Sequence, residues 1–239
     1  MIVEETIPSA AAAPAGPSAV DPSASYGLLY AVFQQLRAAS REGIAVAVTS
    51  ANPGEGVTHS VNAIASVLGK DVRSRVLRID ARRLRAVTGP PVKMLDCCLR
   101  IDANVFEFVC EAAGFVPTPS TPDFRDGARQ VHEARGEARA EGQSRTWGSD
   151  CDYRRDCMRE LRLAFDYILI DCPALHSAAD VFSLSPLVDG IVLVVEAGKT
   201  RRDQVLQAER SIGFARGKLI GQILNKRTFI VPHWLYKRL

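Results

Sequence analysis

The sequence contains no uninterrupted apolar run approaching the roughly 20 residues that cross a bilayer, so no segment reads as a spanning helix. It also lacks a basic start followed by an apolar centre, the mark of a secretory signal, which leads to the expectation of a cytoplasmic chain. Any membrane association would then need a partner or a surface-binding segment. The six cysteines, Cys97, Cys98, Cys110, Cys151, Cys157 and Cys172, form no CxxC pair and no Cys/His cluster at zinc spacing. They read as reduced thiols and not as a metal centre. Cys151 and Cys157 are close enough in sequence to bridge in principle, while Cys172 falls in an apolar strand pattern that suits a buried thiol. Strong charge of one sign is missing too: the net charge is +3 and the bases are interleaved with acids, which argues against a nucleic-acid partner. No internal repeat is present.

What the chain does have is 239 residues, 47% hydrophobic and 24% charged, enough for one sizeable α/β domain. Residues 5–24, "ETIPSAAAAPAGPSAVDPSA", are Ala, Pro and Ser with almost no large apolar side chain, and are expected to form a disordered leader over 1–24. The domain is expected over 25–239. Its helical spacing begins near Tyr26, with Leu28, Leu29, Val32, Phe33 and Leu36 on one face. Short apolar runs then alternate with helical ones: strands at 44–50, 75–80, 167–171, 190–197 and 219–225, helices at 57–69 and about 201–213. Strands apolar throughout and separated by helices imply a doubly wound, mostly parallel sheet covered on both faces. Between Arg125 and Arg145 the chain is Ala, Arg and Glu with few core residues. This fits a solvated helix with i,i+4 ion pairs or a mobile, variable insertion around 120–150, and its glycines favour the second.

The stretch "VTSANPGEGVTHS" (48–60) has the context of a phosphate-binding loop: a strand, a turn with Gly54 and Gly56, and a helix starting near Val57. Such a loop works because backbone N–H groups and the helix N-terminus surround the phosphates, a lysine reaches them, and a Ser or Thr holds Mg²⁺. Thr58 occupies the metal-ligand position, but Val57 stands where the lysine belongs. An ammonium about 4 Å from a phosphate charge is worth on the order of 4 kcal/mol at an effective dielectric of 20, roughly a thousandfold. Two strand ends supply acids to the same edge of a parallel sheet, Asp80 of "RVLRID" and Asp171 of "YILIDCP". Either could orient metal-bound water or take a proton from a hydroxyl, and either alone could be a strand-end cap.

These segments, with "VLRIDARRLR", "PLVDGIVLVVEAGKTRRDQV" and "GQILNKR", resemble the bacterial tyrosine kinases of capsule and exopolysaccharide synthesis, relatives of the ParA and MinD P-loop ATPases. The resemblance runs over about 25–239 and is weakest between 95 and 155. It implies ATP or ADP with Mg²⁺ at Gly54, Glu55, Gly56, Val57, Thr58 and His59. It also implies catalytic and metal roles for Asp80 and Asp171 beside the metal ligand Thr58, and an adenine contact from Asn225. A transmembrane chain-length adaptor, a homo-oligomer and a place at the inner face of the plasma membrane follow from the same likeness.

The departures from that pattern are charges. Val57 replaces the loop lysine, Asn52 stands at the signature lysine of the ParA and MinD relatives, and Arg82 replaces the second Asp of the family's "DADLR". The ring-assembly motif ExxRxxR falls on Gly27, Tyr30 and Phe33, and only Tyr236 remains of a tyrosine-rich tail. Arg82 is either a partial substitute for the missing lysine or a solvated residue of a basic run. His59 lacks an acid partner in sequence and is more simply structural or solvent-exposed. The tail "NKRTFIVPHWLYKRL" interleaves aromatic and basic residues, which suits a membrane surface, a partner groove or packing onto its own sheet. The expectation is a degenerate, regulatory or assembly component of exopolysaccharide synthesis with weak or no phosphoryl transfer. The rival readings are an active tyrosine autokinase and a ParA/MinD-like positioning ATPase.

Overall fold

The computed structural model describes residues 27–86, 94–109, 150–175 and 180–226. The leader, the stretch Arg125–Arg145 and the tail beyond Lys226, with Tyr236, lie outside the described residues. Seven strands form one sheet: β1 Ile44–Ser50, β2 Val76–Asp80, β3 Cys98–Arg100, β4 Val105–Phe108, β5 Tyr167–Asp171, β6 Gly190–Glu196 and β7 Leu219–Asn225. Their order is β3-β4-β2-β5-β1-β6-β7, parallel throughout except for the short antiparallel edge pair β3/β4. The helices are α1 Gly27–Ala39, α2 Val57–Leu68, α3 Ala81–Ala86, α4 Asp150–Ala164, α5 Asp180–Leu184 and α6 Arg202–Phe214.

The strands are buried on both sides because their alternate side chains feed two cores. Ala45 and Ala47 of β1, Ile168 and Ile170 of β5 and Leu193 of β6 pack with Met158 and Leu161 of α4 and Ile212 of α6. Ile44, Val46 and Val48, with Leu169, Val192 and Val194, pack instead with Phe33 of α1 and Val61, Ile64 and Leu68 of α2. Each fully buried side chain of this size contributes about 1.5–3 kcal/mol, so continuous apolar runs are the sequence such strands require. Arg162 of α4 ties the opposite edge of the sheet together. Its guanidinium donates to the carbonyls of Gly43 (3.1 Å) and Leu187 (2.9 Å) and pairs with Asp189 at 2.8 Å.

From β1 the chain winds outward to β2 and β4, returns through β5, and continues to β6 and β7 on the other side. The C-terminal strand ends therefore share one edge, where open α/β sheets bind ligands. That edge carries the turn after β1, Asp80, Asp171, Glu196 and Asn225. The expected strands and helices appear within about a residue of their sequence boundaries. The segments α3, α4, α5, β3 and β4 were not resolved by periodicity alone. Cys97, Cys157 and Cys172 are buried and Cys98 is partly buried, while the Cys151 side chain lies outside the described residues.

Candidate phosphate-loop site

β1 delivers the chain to a turn that only glycine tolerates at two points: Gly54 has φ 81° and Gly56 φ 96°. A Cβ on Gly56 would also lie 2.1 Å from the Nδ2 atom of Asn225. The turn is braced from inside by Glu55, whose side chain is buried. Its carboxylate accepts from Ala51 N at 3.0 Å, from Asn52 Nδ2 at 2.9 Å and from the Thr200 hydroxyl. The Glu55 side chain is thus committed to the shape of the loop. Asn52, at the signature-lysine position, turns inward to Glu55 and exchanges longer contacts with Gln204.

Beyond the turn, α2 begins at Val57, and Thr58 donates its hydroxyl hydrogen to Asp171 Oδ2 at 2.6 Å. Asp80 lies directly opposite Asp171 in the β2–β5 register, so the two acids stand side by side at the C-terminal ends of adjacent strands. Burial pushes the Asp171 carboxyl above the usual aspartate range; the Thr58 hydrogen bond opposes this, the Asp80 charge adds to it, and Arg82 and Arg78 pull it back. One oxygen of Asp80 caps α3 by accepting from Arg82 N at 2.8 Å, and the Arg82 guanidinium sits 3.3 Å from the same oxygen. The strand-end cap and the candidate catalytic acid are therefore one residue. Arg82 is turned to Asp80, with its side chain 75% exposed.

Gly54, Glu55, Gly56, Thr58, Asp80, Asp171 and Asn225 thus converge on one edge. Val57 points its side chain to the α1/α2 core, and His59 is exposed one residue further along the helix. Asn225 is held on the loop: its Nδ2 donates to Glu55 O at 2.9 Å while its Oδ1 accepts from Lys226 N at 2.9 Å. Two cations were missed. Arg78 on β2 pairs with Glu107 and donates to Asn62, and its charge reaches Asp171. Lys226 donates from Nζ to Gly54 O at 2.6 Å and pairs with Glu196 at 3.1 Å. The Lys226 ammonium, with Lys199, holds the Glu196 carboxyl below the usual range. A lysine following "ILN" at a sheet edge was a readable signal for the second, but its contact spans 172 positions. Among the described residues no group of three or more His, Cys, Asp or Glu side chains could hold a metal ion.

No family model matches the chain. The tyrosine-protein kinase CpsD of Streptococcus agalactiae is 25% identical over 207 residues, covering 82% of this chain and 81% of that protein. The tyrosine-protein kinase YwqD of Bacillus subtilis (strain 168) is 32% identical over 73 residues, 30% of this chain and 31% of YwqD, so that match spans less than a third of its length. Among solved structures, the VpsO kinase domain superposes with a TM-score of 0.55 at 20% identity, covering 86% of this chain and 92% of that one. The chain resembles the bacterial tyrosine kinases in sequence and has the mostly parallel P-loop NTPase fold of their kinase domains.

Proposed function

We propose that this chain is a tyrosine-kinase-like component of exopolysaccharide or capsule synthesis or export that binds nucleotide weakly and transfers phosphoryl groups poorly or not at all. The observation that carries the reading is the loop itself. The left-handed glycines and the Thr58–Asp171 pair are in place, but the partly buried Val57 packs against the α1/α2 core at the position where a cation would face phosphate. Phosphoryl transfer depends on charge stabilisation and positioning, so it suffers more from that loss than binding does. ATP or ADP is the expected ligand, by resemblance to the tyrosine kinases. The donor set fits Mg²⁺, which takes few protein ligands and keeps water and phosphate oxygens. Thr58, Asp171 and Asp80 would hold the ion, and it would neutralise charge on the phosphate oxygens.

The same resemblance suggests a transmembrane chain-length adaptor as partner, assembly into homo-oligomers, and a position at the cytoplasmic face of the membrane with the tail as a surface contact. Among the described residues no helix is long and apolar enough to cross a membrane, so an adaptor would supply any span. An active autokinase is the second reading, favoured by the retained Thr58, Asp80 and Asp171.

Calorimetric titration with Mg·ATP and Mg·ADP, alongside an ATP turnover assay, tests the choice. The parent should bind weakly without turnover, and Val57→Lys should tighten binding by roughly ten- to a thousandfold, within the Coulombic bound. Turnover by the parent that Asp171→Asn abolishes would support the active autokinase or ATPase instead, with phosphotyrosine on the chain marking the autokinase.

A further inference from the structure

The end of β7 does something at this loop that neither the motif nor the resemblance assigns to it. Asn225 Nδ2 bonds the carbonyl of Glu55 at 2.9 Å, and Lys226 Nζ bonds the carbonyl of Gly54 at 2.6 Å. Two successive carbonyls of the phosphate loop are therefore held by two successive residues of one strand end. In a planar trans peptide the C=O of one residue and the N–H of the next point in opposite directions. Pulling Gly54 O towards Lys226 thus turns the Glu55 N–H away from β7, and pulling Glu55 O towards Asn225 does the same to the Gly56 N–H. Neither N–H donates a hydrogen bond to any described residue. Successive N–H groups aimed one way make an anion-binding concavity.

The clamp is itself fixed. Lys226 adopts φ 54°, a conformation unusual for a side-chain-bearing residue, with its N–H on Asn225 Oδ1 and its ammonium against Glu196 at 3.1 Å. Glu196 in turn is anchored through its backbone N–H on the Thr200 hydroxyl, which also serves Glu55. Gly56 completes the fit, because any Cβ there would collide with the Asn225 amide.

We infer that Asn225 and Lys226 are positioning residues that orient the Glu55 and Gly56 N–H groups towards a bound phosphate, so that the loop keeps its anion-facing shape without a lysine of its own. Lys226 acts on the carbonyl side of the loop and not as a phosphate ligand. The inference rests on the nucleotide reading for its ligand, and two readouts separate the two. Backbone ¹⁵N order parameters at Gly54, Glu55 and Gly56 report the clamp in the free protein; Mg·ADP titration at fixed salt reports the ligand.

With the clamp intact these residues should show rigid values near about 0.85, and Lys226→Met or Asn225→Ala should lower them towards about 0.6 while Lys226→Arg preserves them. Mg·ADP affinity should weaken about tenfold in the first two variants, as expected when one hydrogen bond that orients the loop is lost. Loop order unchanged in both Lys226→Met and Asn225→Ala would overturn the inference. Loop order lost in the variants, with no ADP bound by the parent, would overturn the nucleotide reading and leave the clamp standing.

Discussion

Val57 stands where a phosphate loop places its lysine, and it brings no charge to the turn. The valine packs against the α1/α2 core, and Gly54 and Gly56 keep their left-handed backbone beside it. Beside the start of α2, Asp80 and Asp171 are balanced by Arg82 and Arg78. Since the folded pKa of Asp171 stands above its unfolded value, ionising this group works against folding. Its favourable contribution is full below the unfolded aspartate range and is lost as pH rises through the folded pKa. Asp171→Asn keeps an acceptor for Thr58 and removes the charge, so it should be more stable than the parent at pH 7. The difference should close as pH falls towards about 4, read from urea midpoints at the two pH values.

Elements explain which parts of this architecture were legible beforehand. β1, β5 and β6 announce themselves because a strand covered on both faces must be apolar at nearly every position, and "IAVAVTS", "YILID" and "GIVLVVE" are. β3 and β4 are three and four residues long, too short for a period to register. α4 does carry core positions, Cys157, Met158, Leu161 and Ala164, at helical spacing, but five charged residues from Arg154 to Glu160 dilute the pattern. The site divides the same way. The loop and both acids sit at strand ends and could be read, whereas the Glu55 brace and the Lys226 contact join residues 145 and 172 positions apart. Arg162 is another such long-range tie, linking α4 to the start of β1 and the turn before β6. Arg162→Met should cost about 2–3 kcal/mol, seen as a lower urea midpoint at unchanged slope. Arg162→Lys should recover only part, since an ammonium cannot reproduce the fork.

For the molecule as a whole, a ligand that seats on this edge touches the turn after β1, the start of α2 and the ends of β2 and β5. Binding there should stabilise the entire sheet. At a hundredfold excess over Kd the linkage is about 2.7 kcal/mol. For a domain of this size that corresponds to a rise in Tm of roughly 5–10 °C. Differential scanning calorimetry with saturating Mg·ADP should show this shift in the parent, and none with a nucleoside lacking phosphates.

The double employment of the acids has a consequence for heredity. Asp80 caps α3, so folding alone would select for it whether or not phosphate is transferred, whereas Asp171, whose ionised form opposes folding, gains no such protection from its bond to Thr58. Position 57 has no such protection: an apolar side chain there packs against the α1/α2 core. A lineage released from catalysis would then keep Asp80 as a helix cap and hold Asp171 less firmly.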